Sequence, residues 1–168
     1  MIRTYALAGR DMDLKILKKA SKELLPWAAS VQYADQGEPL MYPHIRFVLK
    51  QIKKVNPPRS KIFTNGKALE KHIIRRIIRS GLSELAVSID GATPETYESI
   101  RRGANFDQLM ENLGCLATMK TKARSVTPML TIATVALRDN VDQIGELVAI
   151  AHRFGATTLA ISNLYSIS

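Results

Sequence analysis

Five short β-rich runs, separated by stretches with helical periodicity, constrain this chain more than any other feature. The runs start near Ser30, Lys61, Leu85, Met129 and Thr158. A strand that returns through a helix before the next strand pairs in parallel, through a right-handed crossover. The chain therefore reads as α/β, with a parallel sheet or a barrel segment. Asp11 to Leu25 carries Met12, Ile16, Leu17, Leu24 and Leu25 among four lysines, an amphipathic helix capped by Asp11 or Asp13. Pro26 marks its end, and Trp27 is expected to pack. Further helices are expected from about His44 to Lys54, stopped by Asn56-Pro57-Pro58, and from about Leu69 to Ser80, closed by Gly81. Phe106 to Lys122 puts Leu109, Met110, Leu113, Leu116 and Met119 on one side. A last helix is expected to start at an Asn140 cap, with Gln143 at the capping-box position, and to end at Gly155.

Ser88 to Gly103 is the most informative single stretch. Leu85, Val87 and Ile89 alternate as a buried strand does, and Asp90-Gly91 stops it. Thr93 is placed to accept from the first free amides of a helix, with Pro94 at its first position and Glu95 on the positive end of its dipole. This arrangement brings Ser88, Asp90 and the start of the helix to one rim, where a small ligand can be held. Two earlier strand exits carry Gly37-Glu38-Pro39 and Thr64-Asn65-Gly66. Taken singly, each has a plain structural reading. Glu38 can cap the segment after it, Asn65-Gly66 and Asp90-Gly91 are turn dipeptides, and Arg101 and Arg102 can pair with Glu95 or Glu98 on their own helix.

Composition removes several function classes. With 168 residues the chain is long enough for one domain with a full core. It has no apolar run that would span a membrane, and Met1 to Arg10 lacks the apolar centre of a signal peptide, so the expected location is cytoplasmic. The single Cys115 excludes an internal disulfide and any zinc or iron–sulfur site built from this chain's thiols. His44, His72 and His152 fall on separate helices and form no ligand set, so no metal or catalytic residue is assigned. Much of the net charge of +9 lies between Lys50 and Arg79, where Glu70 is the only acid and Phe63 the only aromatic. Without stacking platforms, these cations read as the solvated faces of two helices before they read as a nucleic-acid interface.

In this order and spacing, Gly37-Glu38-Pro39, Thr64-Asn65-Gly66, Ser88-Ile89-Asp90-Gly91 with Thr93 to Tyr97, and Ile100 to Gly103 resemble the core of radical S-adenosylmethionine (SAM) enzymes. The likeness is strongest to the branch that often carries a SPASM extension and modifies peptides or matures other enzymes. It covers nearly the whole chain, and Arg138 to Val141 with Ala151 to Ala156 fits the same family's later strand and helix. The resemblance implies a partial (βα)6 TIM-like barrel with cofactors at the C-terminal strand ends. It also implies a 4Fe-4S cluster held by a CxxxCxxC loop, and SAM cleaved there to a 5′-deoxyadenosyl radical that abstracts a substrate hydrogen. The implied partners are SAM, a peptide or protein substrate and an electron donor.

Matched position by position, Gly37, Glu38 and Pro39 correspond to the loop that meets the methionyl ammonium. Ser88 corresponds to a polar SAM contact and Arg101 to the arginine facing the carboxylate, with Thr64, Asn65 and Asp90 on the same rim. Two departures stand out. Asp35 replaces a usual glycine, and no CxxxCxxC occurs anywhere. The expectation is therefore a single incomplete core domain over residues 1–168, lacking its first βα unit and cut before the cluster loop, inactive alone, with an uncovered edge at Ser30 to Tyr33 that favours self-association. A non-catalytic SAM- or peptide-binding relative and a basic nucleic-acid-binding module remain the alternatives.

Overall fold

The computed structural model describes residues 11–33 and 37–163. Its centre is a five-stranded parallel sheet in the order β1 (Ser30–Tyr33), β2 (Arg59–Thr64), β3 (Glu84–Ser88), β4 (Met129–Ala136) and β5 (Thr158–Asn163). Each crossover moves the chain one place along the sheet in the same sense, the progression of a barrel wall. The crossovers use α2 (Ile45–Val55), α3 (Lys71–Ser80), the pair α4 (Pro94–Ile100) and α5 (Phe106–Lys122), and α6 (Ile144–Arg153), while α1 (Leu14–Glu23) precedes β1. Among the described residues β1 pairs only with β2 and so forms one edge of the sheet.

Register assigns the two faces of the sheet. Ile62 pairs with Leu85 and Leu85 with Leu130, a row packed under the helices in one core. That core takes Val48, Leu49 and Ile52 from α2 and Ile73, Ile74 and Ile77 from α3, each at most 6% exposed. Burying each such side chain stabilises the fold by about 1.5–3 kcal/mol. The neighbouring row, Gln32, Lys61 and Glu84, faces the opposite, concave side. There Lys61 Nζ lies 2.7 Å from Glu84 Oε1 and 4.4 Å from the centre of the Phe63 ring. Burial works against the Glu84 carboxylate, but the hydrogen bonds from Lys61 and Thr131 and the lysine charge hold it below the usual glutamate range.

Helix boundaries follow the local chemistry with three corrections. Asp13 caps α1, Asn56 ends α2 in a left-handed conformation, and Gly81 does the same for α3. Trp27, expected to pack, is 87% exposed. It closes a three-residue 3-10 turn, Leu25–Trp27, in which Leu25 turns inward and leaves the indole outside. The apolar stripe of α1 is likewise only partly used, because Leu17 packs on the core while Met12, Ile16 and Leu24 are exposed. The expected capping box at Asn140 and Gln143 does not form. Both side chains satisfy peptide groups elsewhere, so a 3-10 turn, Val141–Gln143, precedes α6.

Candidate functional site

The three strand exits predicted to carry chemistry come together at the C-terminal end of β1 to β3. The turn after β2 is built first. Gly66 has φ +76° and its amide donates to Thr64 Oγ1 at 3.0 Å, while Asn65 Oδ1 accepts from Lys67 N at 2.9 Å. A side chain at Gly66 would also run into Leu109. From α5, Asn112 Nδ2 donates to the Gly66 carbonyl at 3.1 Å, tying the turn to the helix layer.

Glu38 locks the first loop onto this turn. Its Oε1 accepts from Leu40 N at 3.0 Å and from Thr64 Oγ1 at 2.6 Å, and its Oε2 accepts from Asn65 N at 2.7 Å. The capping reading of Glu38 and its place on the rim thus hold together. A carboxylate has about four lone-pair sites, so three donors leave room for one further cation.

The third exit is organised by Asp90, which is 5% exposed. Oδ1 accepts from Val135 N at 2.8 Å, and Oδ2 accepts from Arg101 Nε at 2.7 Å and lies 2.6 Å from Arg101 Nη2. Neither Glu95 nor Glu98 is the partner of Arg101. Asn140 completes the clasp, donating from Nδ2 to the carbonyls of Asp90 at 3.0 Å and Val135 at 2.8 Å while Oδ1 accepts from Leu137 N at 2.7 Å. Gln143 crosses to the same loop, accepting from Ala92 N and donating to Thr96 Oγ1, both at 2.8 Å. Gly91 is obligatory here, since a Cβ would lie 2.5 Å from Tyr97 N in the first turns of α4. Thr93 caps that helix through Thr96 N, as its position in sequence predicts.

These loops enclose an open cavity of about 370 Å3 lined by Gly37, Glu38, Thr64, Asn65, Ser88 and Arg101, with Gln32 and Phe63 from the concave sheet face. Six of the eight residues predicted for the site therefore share one cavity. Pro39 lies outside it, lining an apolar cavity beside α1, and Asp90 sits behind Arg101 as its counterion. Asp35 falls outside the described residues. Ser88 makes no hydrogen bond to another described side chain and is free for a ligand. Arg101 spends two of its five N–H donors on Asp90 and keeps the rest. No motif in the sequence marks Gln32, Phe63 or Asn112 as part of this site. For the first two, the inward alternation of their strands was the available signal, whereas Asn112 acts over 46 residues and leaves none.

Cys115 lies half-buried on α5, with Sγ 3.7 Å from Met119 Sδ. Among the described residues no group of three or more His, Cys, Asp or Glu side chains is placed to hold a metal ion, and no helix is long and apolar enough to cross a membrane.

Comparison with known proteins bears on the same region. The sequence model of the Radical SAM superfamily matches residues 7–157. Mycofactocin maturase MftC of Mycolicibacterium smegmatis is 31% identical over 100 residues, covering 58% of this chain and 23% of the maturase. A probable GTP 3′,8-cyclase of Methanococcus maripaludis is 25% identical over 148 residues, covering 88% of this chain and 47% of the cyclase. Among solved structures, Streptococcus suis SuiB bound to S-adenosylmethionine superposes with a TM-score of 0.72 at 18% identity, over 92% of this chain and 33% of that one. The similarity to SuiB is one of fold. The chain spans about a quarter of the length of the maturases it matches.

Proposed function

Because the chain belongs to the Radical SAM superfamily, we propose that its strand-end cavity binds S-adenosylmethionine and forms the cofactor-holding core of a peptide-modifying enzyme. The observation that carries this reading is the convergence of Gly37, Glu38, Thr64, Asn65, Ser88 and Arg101 from three consecutive strand exits on one polar cavity. The donor set suits the methionyl end of the cofactor. Glu38 offers its remaining lone pair to the ammonium, the unpaired donors of Arg101 face the carboxylate, and the Ser88 hydroxyl supplies a further hydrogen bond. Asp90 and Asn140 hold Arg101 and its loop in place, so the charge is positioned before the ligand arrives.

Bound S-adenosylmethionine supplies, in this family, the radical chemistry that the protein itself does not perform. The cluster the family implies does not fit this chain's residues, because its only thiol is packed against Met119 inside a helix. This chain therefore binds and orients the cofactor but does not cleave it. The MftC relatives, named as maturases, and the structure of SuiB bound to its precursor peptide support a peptide as the substrate class.

A second reading, with a nucleoside triphosphate as substrate, draws on the cyclase relatives and on one local observation. A neighbouring cavity of about 440 Å3 shares Asn65 and Arg101 with the first and adds Lys67 and Arg102, a cationic setting for phosphates.

Calorimetric titration of the full chain with S-adenosylmethionine tests the main reading. We expect one site whose affinity falls about tenfold or more in Arg101→Met, the loss of one charge-assisted contact. Absence of heat and of thermal stabilisation at millimolar cofactor would overturn it. Saturation by GTP with no effect of S-adenosylmethionine would favour the second reading.

A further inference from the structure

The fold gathers charges that the sequence only scatters. On α2, Arg46, Lys50 and Lys53 follow one another at steps of four and three residues, and on α3, Arg79 lies one turn beyond the adjacent pair Arg75 and Arg76. All six are exposed, and together they line a groove of about 280 Å3 between the two helices, with the buried Leu49 and Ser80 at its base. Neither helix contains an aspartate or glutamate, and none of the six cations forms a salt bridge with another described residue. Glu70, the only acid between Lys50 and Arg79, lies at the N-cap of α3 with its carboxylate 3.2 Å from His72, which also lines the groove. Like charges one turn apart on a helix destabilise it, and two such rows flanking one groove compound the effect. A bound polyanion would relieve that repulsion.

We propose that this groove docks an acidic α-helical segment of a partner protein. Along α2 the cations recur once per helical turn, a repeat of about 5.4 Å, and on α3 the pair Arg75 and Arg76 is followed one turn later by Arg79. An acidic helix lying along the groove presents carboxylates at that same repeat, whereas the same-face spacing of an extended strand, about 6.6–6.8 Å, drifts out of step within two contacts. Four of the six cations are arginines, whose planar forks grip carboxylates in pairs. Nucleic acid is a poorer occupant because no Phe, Tyr or Trp lines the groove to stack on a base. An anionic membrane is poorer too, since no exposed apolar side chain in the groove would enter the acyl boundary.

The test is fluorescence anisotropy of the full chain at low salt with a labelled Ala/Glu peptide of about 20 residues, long enough to be helical, bearing glutamates one turn apart. The comparison probes are the same composition interrupted by two prolines, an oligothymidylate of equal charge, and vesicles containing phosphatidylserine. We expect the helical peptide to bind at least about tenfold tighter than the interrupted peptide and the oligonucleotide, with affinity that falls as salt rises. We expect Arg75→Glu/Arg79→Glu to lose at least about tenfold, since reversal puts like charges in contact, with S-adenosylmethionine binding unaltered. Equal binding of the helical and interrupted peptides overturns the proposal, as does tighter binding of the oligonucleotide or vesicles, or no binding of the helical peptide. Binding unchanged in the folded double variant overturns it as well. If that variant does not fold, the milder Lys50→Gln/Lys53→Gln decides, with weakened peptide binding expected and unchanged binding refuting.

Discussion

Replacing Asp90 by alanine tests the electrostatic support of the candidate site. The substitution removes the acceptor for Val135 N at 2.8 Å and for two donors of Arg101 at 2.7 and 2.6 Å. Hydrogen bonds to a charged group contribute about 1.5–3 kcal/mol each when buried. The side chain of Arg101 keeps 28% of its exposure, so water takes over part of its solvation and the ion pair belongs at the low end. Together the lost contacts cost about 3 kcal/mol. For a domain of this size that lowers Tm by about 6–12 °C. Urea denaturation of the wild type, Asp90→Ala, Arg101→Met and the double variant completes a thermodynamic cycle. If Arg101 and Asp90 act as a unit, the double variant is more stable than the sum of the single losses predicts by about 1 kcal/mol or more. A loss below about 1 kcal/mol in Asp90→Ala, or additivity within about 0.5 kcal/mol, would refute the clasp. The functional consequence is separable. In Asp90→Ala the guanidinium is no longer aimed, so cofactor affinity falls together with stability, whereas a purely structural Asp90 would leave the affinity of the folded fraction unchanged.

Two further outcomes follow from the same geometry. Gly91→Ala forces a methyl group to within 2.5 Å of the Tyr97 amide and should cost about 3 kcal/mol, whereas Gly145→Ala, an exposed helical position with no atom within 4 Å of the added carbon, should stabilise by about 0.5–1 kcal/mol. Comparing their urea midpoints checks both, and equal effects would contradict the close-approach argument. The Lys61–Glu84 pair predicts a pH dependence. The Glu84 carboxyl is held below its usual range, so its contribution is complete above the unfolded value of about 4.3 and is lost as pH falls through the lower folded value. The Tm of Glu84→Gln should therefore fall less steeply than wild type in acid, and parallel curves would remove the pair from the account.

The alternation of β-rich runs and helical stretches was enough to specify a parallel α/β sheet, because crossover handedness leaves few other ways to pair such strands. Turn chemistry was legible for the same reason. Thr93-Pro94 at a helix start, Gly81 at a helix end and the Asn65-Gly66 turn each act on neighbours within a few residues, and each appears where it was expected. The motifs also named most of the cavity, since Gly37, Glu38, Thr64, Asn65, Ser88 and Arg101 all line it. What local reasoning could not decide were the partners of side chains that act across the chain. Asn140 and Gln143 have the residue types of a helix cap, yet the buried peptide groups after β3 claim both. Arg101 directly follows a helix with two glutamates, yet it turns to Asp90, eleven residues back and nearly without water. Trp27 has the residue type of a packing side chain, yet in the turn that holds it Leu25 is the residue buried and the indole stays outside. Backbone preference is settled among near neighbours, so the sequence by itself determined the elements and their order. Desolvation and charge are settled by whatever the fold brings close, so only the tertiary structure decided which rim residues remain free for a ligand, which are spent holding others, and that two rows of cations on separate helices share one groove.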